Sequence, residues 1–284
     1  MAMKKGINMI NLESIKRKYF NQELYMLAML DCFGVPHTPD NIHLKSYVDI
    51  VANELSKNKI EVNYVNMHSI GCNKTWHLKD IIDKDYTKKE YYDINLAQSI
   101  KATLREDIFP FPLNPNFLST YYSNPSNSNM KITSHYADSK NPIIFYSCGQ
   151  MNMHHYLKMR SNDIKQILPQ ILFHLNENLY KTLSDVEQMI NHLISINKTV
   201  DIYMFGVYPM FESPIVRKVL APFYASINKK IKYYFSRYDN IYFIDVLNNI
   251  NYVAENDCHP NYKGQCNMAN KALKLLSEED KYDN

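Results

Sequence analysis

The chain of 284 residues predicts an α/β fold, a single domain on a mainly parallel sheet of about five strands. Three observations carry that expectation. Short apolar runs that stop at turns alternate with longer segments of helical apolar spacing, which is the pattern of βαβ units. The length suffices for one full core, and α/β folds of this size are commonly one domain. Of only six glycines, Gly34, Gly71 and Gly149 stand at or just after predicted strand ends. Where glycine is so scarce, each marks a backbone that turns sharply or approaches another group closely.

The elements follow in order. Met1 to Phe20 reads as a polar, basic leader with no apolar run of signal-peptide length, so the domain is expected over residues 21–284. Leu24 to Leu30 is a compact apolar run that stops at a turn, as a buried parallel strand does. Asn41 to Lys57 carries Leu44, Val48, Ile50, Val51 and Leu55 on a helical face. Lys59 to Met67 returns to a strand, and Tyr91 to Arg105 to a helix.

Glu106 to Asn141 interrupts the alternation with prolines and many Asn and Ser residues, and is longer than an ordinary connection. It also carries Phe109, Phe111, Phe117, Tyr121 and Tyr122, more aromatic surface than a linker needs, so it is expected to cover a pocket mouth as a mobile lid; packing against the side of the domain is the competing expectation. Pro142 to Gly149, Asp201 to Tyr208 and Ile241 to Val246 are the third, fourth and fifth strands. Ile164 to Leu179 and Leu183 to Ile194 predict two amphipathic helices bent around Pro169, with core packing as their expected role.

Composition narrows the function. The net charge is +3, with cations scattered among anions, so no basic stripe for nucleic acid stands out. No window approaches a membrane span. Five cysteines, unevenly spaced, do not make a disulfide framework, and free thiols in a reducing, cytoplasmic setting are expected.

The chemistry-bearing stretches are Leu30-Asp31-Cys32-Phe33-Gly34 and Asn256-Asp257-Cys258-His259-Pro260-Asn261, the latter followed by Gly264 and a final helix. They supply a thiol and a base. A thiol is acidic enough to exist as a thiolate beside an imidazolium, so a neutral amide suffices to orient the ring. These blocks, with Asn66 to Gly71 and Cys148-Gly149-Gln150-Met151-Asn152 between them, resemble in order the four blocks of SGNH (GDSL-type) hydrolases, and the resemblance spans nearly the whole chain.

In that family the first block reads Gly-Asp-Ser and the last Asp-x-x-His-Pro. Here Cys32 stands at the serine position and Asn256 at the aspartate position. The resemblance implies a flavodoxin-like three-layer α/β/α sandwich, and acyl transfer through a triad of Cys32, His259 and Asn256 with a thioester intermediate. Asp257, one residue nearer the histidine and a carboxylate, is the alternative orienting acid. The oxyanion hole would be formed by the amides of Cys32 and Gly71 with the side chain of Asn152 or Gln150, because the asparagine position of the third block is Met151 here. His154 and His155, just beyond that block, are candidate substrate contacts.

The expected substrate is an acylated small molecule, a carrier-bound thioester or a peptide, with no cofactor. Cys32, Cys72, Cys148 and Cys258 all follow predicted strands and could gather near His259, but none of them has zinc-knuckle spacing, so no metal is expected. A catalytically silent ligand-binding protein, or a subunit of a complex using Ile164 to Ile196 as its contact surface, is the alternative.

Overall fold

The computed structural model describes residues 12–29, 32–68, 75–103, 114, 116–117, 121–122, 125–147, 152, 164–255 and 257–278. Its centre is a parallel sheet of β1 (Glu23–Met29), β2 (Glu61–Asn66), β3 (Ile143–Ser147), β4 (Asp201–Phe205) and β5 (Ile241–Ile244) in the order β2-β1-β3-β4-β5. All four strand pairs are parallel. This is the flavodoxin-like order, in which ligands bind beyond the carboxyl ends of the strands beside the switch point, here between β1 and β3.

Side-chain alternation builds two cores. Tyr25, Leu27 and Met29 of β1 enter one cluster with Ile144, Tyr146, Ile202 and Met204. Leu24, Met26 and Ala28 enter the other with Ile143, Phe145, Tyr203 and Phe205. Because neighbouring side chains on a strand point to opposite faces, a sheet covered on both sides must be apolar throughout, and six of the seven β1 residues are buried.

The first face is covered by α3 (Thr75–Lys84), α4 (Lys88–Thr103), α5 (Ile132–Asp138), α6 (Ile164–Ile196) and α7 (Pro214–Phe235); the second by α1 (Glu13–Lys18), α2 (Tyr47–Lys57) and α8 (Tyr262–Ser277). No described helix is long and apolar enough to cross a membrane.

Several boundaries differ from expectation, each for a local reason. The helix expected from Asn41 starts at Tyr47, because Leu44 adopts a positive φ of 47° and Ser46 forms a capping box with Asp49. The helix expected from Tyr91 starts at Lys88, after Thr87 and Glu90 exchange backbone and side-chain hydrogen bonds. The pair expected around Pro169 is one 33-residue helix; the proline lies near its start, where one lost hydrogen bond does not break it.

The supposed leader contributes α1, whose Ile15 is buried, with Leu12 and Tyr19, in the second core. Within Glu106 to Asn141, α5 is helical, and the Asp85 carboxylate accepts from the amides of Thr133 and Ser134 at its start. Phe117 and Tyr122 are core residues, while Phe109 and Phe111 lie outside the described residues.

Candidate functional site

Cys32 opens a single 3₁₀ turn, Cys32–Gly34, directly after β1, closed by the Val35 amide donating to the Cys32 carbonyl at 3.0 Å. Gly34 is required there. A Cβ at that position would lie 2.4 to 2.6 Å from three atoms of the His68 ring, so the turn can sit against the end of β2 only without a side chain.

His259 arrives from the other end of the chain. After β5 and the 3₁₀ segment Leu247–Asn251, Val253 and Pro260 form an antiparallel bridge, and the Ala254 amide donates to the His259 carbonyl at 3.0 Å. The loop then enters α8, whose N-cap Asn261 accepts from the Gly264 amide at 3.0 Å. That tight loop and cap present the imidazole inward, 3% exposed.

His259 Nε2 lies 3.1 Å from Cys32 Sγ, and its Nδ1–H donates to Asp257 Oδ1 at 2.6 Å. The same Oδ1 accepts from the amides of Cys258, at 2.6 Å, and His259, at 3.1 Å. Thus the ring nitrogen that spacing assigned to Asn256 is held by Asp257. The backbone bends around the Asp257 carboxylate, which shortens its reach to the ring. Asn256 itself lies outside the described residues.

The electrostatics pair His259 with Asp257. Burial works against a charged His259, yet its interactions with Cys258 and with the Asp257 carboxylate outweigh it and hold the ring well above the usual imidazole range. Burial also works against ionised Asp257, but the positive His259 and its hydrogen bond keep the carboxyl below the ordinary value. Tyr208, fully buried, is pushed upward first by burial and then by Cys258, Cys32 and Asp257.

His37 was not singled out by the sequence, although it follows Cys32 closely in Val35-Pro36-His37-Thr38-Pro39. It is fully buried, its ring edge-on to His259 with centroids 4.4 Å apart. Its Nδ1–H donates to the Val35 carbonyl at 3.0 Å, and Nε2 faces Asp257 Oδ2 at 3.8 Å. Burial, followed by repulsion from His259, depresses it to about 3. Among the described residues, His37, Asp257 and His259 form a group whose potential metal-ligand atoms all lie within 4.8 Å of one another.

The segment expected either to cover a pocket mouth or to pack on the domain reaches the site here: the Asn114 backbone amide donates to the His37 carbonyl at 2.9 Å, and the buried Phe117 ring lies 6.1 Å from the His37 ring. Asn152 is buried between α3 and α6, where its Oδ1 accepts from the Thr75 amide at 3.2 Å and its Nδ2 donates to Asp185 at 3.1 Å. Gly71, Gln150, His154, His155, Cys72 and Cys148 lie outside the described residues. Cys258 Sγ stands 3.6 Å from His259 Nδ1, on the ring edge away from Cys32.

No family model matches the sequence, and no curated protein matches it. Solved structures do. The lipase Lip_vut3 from a goat rumen metagenome aligns with a TM-score of 0.53 and 11% identity, covering 88% of this chain and 95% of that one. A protein assigned as a GDSL-like lipase from Parabacteroides merdae aligns at 0.50 and 13% identity, over 90% and 97%. At these identities the likeness is one of fold, and the chain has an SGNH-like fold.

Proposed function

We propose that the protein is an acyl-transfer enzyme of the SGNH fold that cleaves an ester or thioester, with Cys32 as nucleophile, His259 as acid and base, and Asp257 orienting the imidazole. The observation that carries this reading is the 3.1 Å contact between Cys32 Sγ and His259 Nε2, backed by Asp257 on the opposite ring nitrogen. A nucleophile within hydrogen-bond reach of a base, itself oriented by a third group, is the geometry covalent catalysis requires. The fold it shares with lipase structures supports the same reaction class.

The Cys32 thiolate attacks the acyl carbonyl, and the carbonyl electrons move onto oxygen. As they return, the bond to the leaving group breaks and His259 delivers its proton there, leaving a thioester on Cys32. Water or another nucleophile then attacks the thioester, His259 takes its proton, and the Cys32 thiolate departs. The oxyanion would be met by the amides of Cys32 and Gly71 with Asn152 or Gln150. For Asn152 that role requires the amide now given to Asp185 to be shared or released.

The test is intact-protein mass spectrometry during turnover of p-nitrophenyl acetate. One acetyl group should appear on Cys32, and both acetylation and turnover should vanish in Cys32→Ala and His259→Ala. Turnover surviving in Cys32→Ala would refute the assignment.

A further inference from the structure

We propose that His37, Asp257 and His259 form a binding site for one zinc-class divalent cation, and that its occupancy silences the Cys32–His259 pair. The silencing rests on the acyl-transfer reading above; the binding does not. Three independent features converge. The three residues bring their ligand atoms together within 4.8 Å while being almost wholly buried. Asp257 Oδ2 is buried and accepts no hydrogen bond among the described residues. With the His37 Nδ1 proton directed at the Val35 carbonyl, Nε2 presents its lone pair to that same oxygen at 3.8 Å.

A carboxylate oxygen left unmet in a dry interior, as Asp257 Oδ2 is among the described residues, is costly unless a donor or positive group lies beside it. Zinc bonds to imidazole nitrogen and carboxylate oxygen of about 2.0 to 2.2 Å at a tetrahedral angle place those two atoms about 3.3 to 3.6 Å apart. The observed 3.8 Å is within a few tenths of that edge. Two imidazoles and one carboxylate are also a donor set that suits zinc and similar first-row ions.

The third ligand brings the consequence. His259 Nδ1 now shares a proton with Asp257 Oδ1 at 2.6 Å, too close for both atoms to bind one ion without opening. Metal binding at Nδ1 therefore releases that proton to solvent and replaces the hydrogen bond. The imidazole then carries its remaining proton on Nε2, directed at Cys32. A metal-bound imidazole gives up that Nε2 proton far less readily than an imidazolium does, so His259 no longer delivers it to the leaving group and acyl transfer stops while Cys32 keeps its thiolate.

The experiment uses the metal-free, full-length protein, dialysed against micromolar zinc chloride, with bound zinc counted by mass spectrometry and affinity measured by competition with a chromophoric chelator. One zinc per chain is expected. His37→Phe, which retains a ring of similar size, and Asp257→Asn, which retains the carboxylate shape, should each weaken binding at least tenfold, whereas Cys32→Ser should retain it. Zinc should also slow p-nitrophenyl acetate turnover at least tenfold, reversibly by EDTA, and His37→Phe should abolish that response relative to its own metal-free rate.

Absence of stoichiometric zinc, binding unchanged in both ligand variants, or binding lost in Cys32→Ser would overturn the site. Zinc held through His37 in a protein without esterase turnover would sustain the site and refute the acyl-transfer reading. Turnover without zinc binding would do the reverse.

Discussion

Replacing Asp257 by asparagine tests the proposed third member of the site. Its Oδ1 accepts three hydrogen bonds, from the His259 ring and from the amides of Cys258 and His259. The ring bond joins a carboxylate to an imidazole held in its protonated range, and such a charge-assisted bond contributes about 1.5 to 3 kcal/mol. If that interaction strengthens as His259 takes up its proton, its loss lowers kcat/KM by roughly 10- to 150-fold at about 1.4 kcal/mol per decade. Asn256→Ala, by contrast, should change kcat/KM by less than about threefold, because the His259 nitrogen it would orient already bonds Asp257. The assay is steady-state hydrolysis of p-nitrophenyl acetate, with far-UV circular dichroism confirming both folds. An enzyme crippled by Asn256→Ala and indifferent to Asp257→Asn would refute the reasoning and restore the orienting role to the amide.

Cys258 flanks His259 on the Nδ1 side, so Cys258→Ala should preserve turnover, and mass-mapped alkylation should still find Cys32 modified first; preferential labelling of Cys258 would identify the wrong thiol as nucleophile. Gly264→Ala would place a Cβ 2.7 Å from Pro260 Cβ and 2.8 Å from the Tyr252 carbonyl oxygen. Overpacking against backbone costs about 1–3 kcal/mol, and the displaced loop carries His259, so both Tm and Cys32 alkylation rate should fall; an unchanged Tm would contradict the packing described. Lys88, buried with its ammonium donating to the Tyr64 carbonyl at 2.6 Å, is depressed by burial to about 8. The unfolded chain therefore binds more protons between pH 8 and 10, and relative to Lys88→Met the wild type should gain about 2 kcal/mol of stability across that window. Parallel urea-denaturation curves for the two proteins at pH 8 and pH 10 would show Lys88 to be unperturbed.

The sequence by itself determined the sheet. The central strands β1, β3 and β4 were visible as local apolar runs, because a parallel strand covered on both faces needs apolar residues at nearly every position, whereas the edge strand β2, Glu61-Val62-Asn63-Tyr64-Val65-Asn66, showed only interspersed apolar residues. The glycine following Cys32 and the histidine before Pro260 were likewise legible, since turns and caps are short-range devices. The bent carboxylate of Asp257 was not. Spacing counts residues, whereas the reach of a side chain depends on how the backbone folds around it, and here the chain wraps its own amides onto Asp257 before presenting His259. Only the tertiary structure brought Cys32 and His259, 227 positions apart, to 3.1 Å, and set His37 edge-on beside them. A buried histidine and a solvent-facing one are the same letter, and what separates them is the surroundings supplied by distant segments, in this case Asp257 and the Phe117 ring.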